Sequence, residues 1–99
     1  MNHGIEEEFK QKIIAILSAL FPKAEIYLFG SRARGTQSPR SDIDIALKEE
    51  KKISRSAIGE IISMFENSCI PYKIQIVDFN AVSDAMRKSI TDEGILWKK

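Results

Sequence analysis

Apolar residues in this chain recur with two periods in turn, and that alternation restricts the fold more than any single motif. Over residues 5–21, Phe9, Ile13, Ile16, Leu17 and Leu20 recur at spacings of three and four, which predicts a helix. Glu6, Glu7 and Glu8 sit in its first turn, where the helix dipole favours negative charge, and Pro22 stops it. Residues 24–29 switch to period two. Ile26 and Leu28 point one way, Tyr27 and Phe29 the other; both sides are apolar, so the strand is expected to be central. A second strand, 42–47, places Ile43, Ile45 and Leu47 on one face and Asp42, Asp44 and Ala46 on the other. Helical spacing returns over 56–67 through Ile58, Ile61, Ile62 and Phe65. A third strand spans 72–79, a last helix 82–92 ends with Gly94 at its C′ position, and 95–97 forms a short edge strand. Helices and strands that alternate in this way predict the α/β class.

The total length of 99 residues predicts a single small domain, 1–99, with a thin core and little chain left to hold a second substrate. The hydrophobic fraction of 43% and the charged fraction of 29% sit near globular averages and exclude disorder of the whole chain. A net charge of +1 argues against a general nucleic-acid binder. Cys69 is the only cysteine, so no internal disulfide is possible and a reducing, cytoplasmic setting is expected. The N-terminus lacks the basic and apolar regions of a signal peptide, and no run approaches the roughly 18 apolar residues that a membrane span needs. His3, the only histidine, is expected in an unordered terminus rather than as a ligand. The charged run 48–52 reads as a solvated loop.

Chemistry concentrates between the first two strands. Gly30 and Ser31 end the first strand directly. A glycine there lets an anion approach the main chain, Ser31 adds a hydroxyl, and a helix starting just after it would offer free N–H groups. Ten residues later, Asp42 and Asp44 share one strand face. A divalent cation between them would offset their repulsion, and Mg²⁺ characteristically binds through one or two carboxylates plus phosphate oxygens. Taken singly, each feature is common: Gly-Ser is also an ordinary strand-ending turn, and Asp-x-Asp a polar face open to solvent. Together, with Arg32, Arg34 and Arg40 in the connection to neutralise phosphate, they can hold a triphosphate and its metal in one place. The P-loop is excluded because Thr36-Gln37 follow Gly35 where Lys and Ser/Thr are required. There is no Rossmann fingerprint, nucleophile elbow or Cys/His cluster.

Phe29-Gly30-Ser31-Arg32-Ala33-Arg34-Gly35 through Ser41-Asp42-Ile43-Asp44-Ile45 resembles the signature of the DNA polymerase beta-like nucleotidyltransferases. The whole chain resembles the minimal nucleotidyltransferase (MNT) proteins. That resemblance implies a small mixed sheet with helices packed against it. It implies that Gly30 and Ser31 hold the phosphates, assisted by Arg34, and that Asp42 and Asp44 hold Mg²⁺ for an ATP substrate. It also implies an all-helical HEPN protein as partner, the toxin of a toxin–antitoxin pair, to whose tyrosine AMP is transferred.

One position departs from the resemblance. Active MNT relatives carry a third carboxylate on the strand that matches 72–79, and that position falls on Gln75. Period two puts Gln75 with Lys73 and Val77 and leaves Asp78 on the opposite face with Ile74 and Ile76. A glutamine carbonyl can contact a cation but cannot act as a base at neutral pH. Two functions therefore remain open: a nucleotidyltransferase acting on a partner hydroxyl, or a nucleotide-binding antitoxin subunit whose chemistry is impaired. The favoured reading of Trp97 and Phe79 is core packing; the alternative is apolar surface left for that partner.

Overall fold

Residues 3–99 are described by a computed structural model. The order is helix α1 (Glu7–Leu20), strand β1 (Glu25–Phe29), short helix α2 (Ser31–Arg34), β2 (Ile43–Lys48), α3 (Arg55–Glu66), β3 (Ile74–Asp78), α4 (Asp84–Glu93) and β4 (Ile95–Lys98). Serine caps decide where two helices begin. Ser54 Oγ accepts from Ala57 N at 3.1 Å and Ser83 Oγ from Met86 N at 3.2 Å. The apolar spacing alone places those starts one residue late and two residues early. At the other end of α1, Phe21 stands before Pro22 and cannot stay helical; its N–H still closes on the Leu17 carbonyl at 2.8 Å.

The strands form one sheet in the order β3-β2-β1-β4. β1 runs antiparallel to β2 and β4, whereas β2 and β3 are parallel, the pairing that a helical crossover such as α3 permits. The sheet is therefore mixed, and β1 is central as its two apolar faces predict. One face carries Ile26 and Leu28, Ile43, Ile45 and Leu47, and Ile74 and Ile76. These pack with Ile13 and Leu17 of α1 and Ile61 and Phe65 of α3 into the main core. Ile5 is buried there too, although the helix begins after it.

The second face carries a row set by register: Leu96, Tyr27, Ala46 and Val77 on β4, β1, β2 and β3. Ala46 is fully buried yet lies outside the main core, as does Ile90 of α4, and α4 meets β1. Thus α4 covers the middle of this face. Gly94 ends α4 with extended angles (φ −69°, ψ 155°) rather than the left-handed ones of a C′ glycine. It is a glycine for space: a Cβ would strike the Ile90 carbonyl oxygen and press on that of Leu28 at 3.4 Å.

Trp97 and Phe79 are half-buried, nearer to core packing than to an open apolar surface. Trp97 packs against the core under Lys10 Nζ, 5.6 Å from the ring centre, and Phe79 lies under Lys48 Nζ at 4.8 Å. The exposed large apolar side chains among the described residues are Leu20, Met64, Met86 and Leu96. No helix among the described residues is long and apolar enough to cross a membrane.

Asp78 falls on the core face, as parity predicts, and is buried. Its carboxylate accepts from Ile53 N at 2.7 Å and from Asn80 N at 3.0 Å, tying the 49–54 loop to the end of β3. Asp78→Ala leaves both donors without an acceptor. The expected cost is about 2–3 kcal/mol, read as a fall in the denaturant midpoint of unfolding.

Candidate active site

Gly30 joins β1 to α2 with φ 77° and ψ −157°, a conformation that side chains rarely adopt. Space demands glycine as well. A Cβ there would collide with Asp44 Oδ2 and sit 3.2 Å from its carboxyl carbon. The Asp44 carboxylate thus lies directly on the Gly30 main chain. Just beyond, the short helix α2 starts at Ser31, and the first turn of any helix leaves N–H groups with no acceptor of their own. Gly35, at φ 77° and ψ 15°, ends α2 in the left-handed region.

The connection back to β2 is irregular but internally bonded. Ser41 N donates to the Ser38 carbonyl at 3.1 Å, and Ser38 N to Ser41 Oγ at 2.9 Å. Asp42 immediately precedes β2, and Asp44 lies two residues on. Register then brings a third group to the pair. Across β1, β2 and β3, Phe29 faces Asp44 and Asp44 faces Gln75. Gln75 is half-buried in that row, one inter-strand spacing of about 4.8 Å from Asp44. The structure therefore brings Gly30, Ser31, Asp44 and Gln75 together at the end of the second sheet face, with Asp42 at its edge.

The arginines separate into two roles. Arg34 and Arg40 are exposed, and the Arg34 charge reaches Asp44. Arg32, expected with them as a phosphate neutraliser, is 1% exposed and bonded to main-chain carbonyls. His3, expected in an unordered terminus, is half-buried, and its Nδ1 lies 2.8 Å from the Arg32 carbonyl. That contact spans 29 residues of sequence, and no local pattern announces it.

Burial, first, and the neighbouring Asp42 charge, second, raise the Asp44 carboxyl above its ordinary value of 3.8; Arg34 and then Arg32 pull it back. For a carboxyl raised on folding, the folded state binds more protons between 3.8 and the raised value, so stability falls as pH rises through that interval. Metal-free wild-type protein is expected to lose stability over that window relative to Asp44→Asn. Thermal melts of both proteins at several pH values, in a chelator, check the sign.

The donor set fits a small hard cation. Two half-buried carboxylates share a face, one of them short of compensating charge, and glycine has left room at its oxygen. Among the described residues no group of three or more His, Cys, Asp or Glu side chains converges. An apolar cleft of about 260 Å³ between α1 and the segment after α3 is lined by Lys12, Ala15, Ile16, Ser68, Cys69 and Ile70. It holds no carboxylate and lacks this chemistry.

Known proteins share this sequence pattern and fold. A Shewanella oneidensis protein named protein adenylyltransferase MntA is 33% identical over 90 residues, covering 89% of this chain and 64% of its own length. A crystal structure described as a toxin–antitoxin with AMP-PNP superimposes with a TM-score of 0.79 at 32% identity, over 91% of this chain and 73% of that one. A structure of a tri-AMPylated Shewanella oneidensis HEPN toxin with an MNT antitoxin gives a TM-score of 0.74 at 26% identity, over 94% and 72%. The family described as "Polymerase beta, Nucleotidyltransferase" matches residues 11–98, which hold all four strands and every helix but the first turn of α1, and the chain belongs to that family.

Proposed function

We propose that this chain works as a minimal nucleotidyltransferase domain in the cytoplasm, transferring AMP from ATP to a hydroxyl on a HEPN-domain partner as the antitoxin of that pair. The observation that supports this reading is the Asp44 carboxylate packed on Gly30 at the turn into α2, an acid suited to a metal beside a turn suited to phosphate. The relatives named for adenylyl transfer, and the AMP-PNP and HEPN complexes, support the substrate and the partner. The free thiol of Cys69 suits a reducing compartment.

In this reading Gly30 and the first amides of α2, with Ser31, hold the triphosphate, and exposed Arg34 adds charge at its edge. Asp42 and Asp44 would hold Mg²⁺, which supplies charge neutralisation on the phosphates. The acceptor oxygen forms a bond to the α-phosphorus, the bond to the β-phosphate breaks, and pyrophosphate leaves. The hydroxyl proton needs an acceptor, and Gln75 cannot provide one at neutral pH. That favours a slow enzyme, and it supports a second reading in which the chain binds nucleotide and partner without turnover.

Incubation with Mg²⁺, a HEPN protein and ATP labelled at the α-phosphate tests the proposal. Label on the HEPN protein is the expected result. A co-eluting complex that binds ATP in calorimetry yet stays unlabelled would establish the second reading, and absence of ATP binding would end both.

A further inference from the structure

Arg32 is a buried cation without an ion pair: among the described residues the salt bridges join Arg87 to Asp84 and Lys88 to Asp92. Burying a charge is costly unless its donors are satisfied. Arg32 satisfies them on main chain. Its Nε and one terminal nitrogen donate to the Ser41 carbonyl at 3.1 and 2.8 Å, and the other donates to the His3 carbonyl at 3.0 Å. The Tyr72 ring lies 5.3 Å from the guanidinium. His3 Nδ1 donates in turn to the Arg32 carbonyl. The N-terminal segment is pinned from the far side as well, where Tyr72 Oη donates to the Gly4 carbonyl at 3.4 Å and accepts from Glu6 N at 3.3 Å.

A methionine or leucine would fill such a place without bringing in a charge. The distinctive thing the guanidinium does is grip one carbonyl twice, and that carbonyl belongs to Ser41, one peptide before Asp42. The loop holding Ser41 has no regular structure, yet Asp42 must meet a ligand together with Asp44, which is fixed in β2. Coordinating groups need their position held to within about half an ångström. Arginine's rigid fork can impose this where a single-point donor cannot.

We propose that Arg32 is a positioning residue: braced by the His3 carbonyl and the Tyr72 ring, it fixes the Ser41 carbonyl and so aims Asp42 at the ligand it shares with Asp44. This rests on the reading that Asp42 and Asp44 hold the metal of a bound nucleotide. It makes the N-terminal segment part of the site's support although no residue of that segment is needed at the ligand. It also gives Arg32 and Arg34, two residues apart, different tasks.

The full chain and its Arg32→Met, Arg32→Lys and Gly4→Ala variants test it. Gly4→Ala acts from outside the core: its Cβ would come 2.7 Å from an Arg32 terminal nitrogen, at φ +76°. Two quantities are read. The first is amide hydrogen exchange at Ser41 and Ile43 in protein free of metal and nucleotide. The second is ATP affinity with and without Mg²⁺. Exchange at both amides should quicken in Arg32→Met, less in Arg32→Lys and Gly4→Ala, with α3 unchanged. ATP affinity should fall about 10–100-fold in Arg32→Met when Mg²⁺ is present, the usual effect of losing a group that orients a metal ligand. It should stay at the wild-type value without the metal, with Arg32→Lys restoring part of the loss. Equal losses with and without Mg²⁺ would reduce Arg32 to a general structural role and overturn the proposal. Unchanged exchange at Ser41 and Ile43 would overturn it even in a protein that binds no ATP, and should Arg32→Met fail to fold, Gly4→Ala decides by the same two readings. A wild-type chain that binds no ATP would instead sink the proposed function.

Discussion

Gln75→Asp is expected to raise AMP transfer to a HEPN partner by about 10²–10⁴-fold, the usual worth of a positioned general base. Gln75 faces Asp44 across the parallel β2–β3 pair, on the same side of the sheet, so a carboxylate there joins the two already present. It can accept the proton of the attacking hydroxyl, which an amide cannot. The same charge has a cost that makes the prediction specific. Asp44 is already raised by burial and by Asp42, so a third acid should lower the melting temperature of metal-free protein. Mg²⁺ with ATP should then raise it more than in wild type, because a ligand stabilises only the state that binds it. Asp78→Asn should leave the rate per folded molecule unchanged, since that side chain is turned into the core and holds Ile53 and Asn80. Transfer abolished by Asp78→Asn and untouched by Gln75→Asp would reverse the assignment. No transfer by any variant, with ATP still bound, would leave the chain as a binding subunit.

Asp42→Asn with Asp44→Asn is expected to act in the opposite sense on function and on stability. Both carboxylates leave the site while its shape is kept. A metal's stabilisation of phosphate charge is worth several kcal/mol, so transfer should fall by about 10³-fold or more. Calorimetry should show ATP affinity that no longer depends on Mg²⁺. Without metal, the double variant should melt higher than wild type, because a half-buried pair of like charges has been removed. That combination separates a metal site from an ordinary polar strand face. Wild-type ATP affinity retained with Mg²⁺ present would remove these residues from the site.

Local periodicity determined much of this protein before any contact was known. Period two places Asp42 with Asp44 on one face of their strand and, separately, Gln75 opposite Asp78 on the third, since parity depends only on neighbours along the chain. The apolar runs likewise specify the helices and strands, with ends shifted where Ser54 and Ser83 cap. Parity cannot say which residue of β3 stands beside Asp44. The offset of two strands is a tertiary quantity, and only the observed register brings Gln75 there. The angles of Gly30 and its contact with Asp44 are of the same kind, because they depend on how β1 and β2 pair. Arg32, Arg34 and Arg40 are equivalent as letters in a polar loop. What turns Arg32 inward is a set of partners, His3, Ser41 and Tyr72, that folding alone gathers around it. Core packing was the favoured reading of Trp97 and Phe79, but the lysines that lie over their rings arrive from α1 and β2, which no local pattern announces. The residue types of the candidate site were thus written in short-range pattern, whereas their surroundings were decided by long-range packing, which draws on distant parts of the chain.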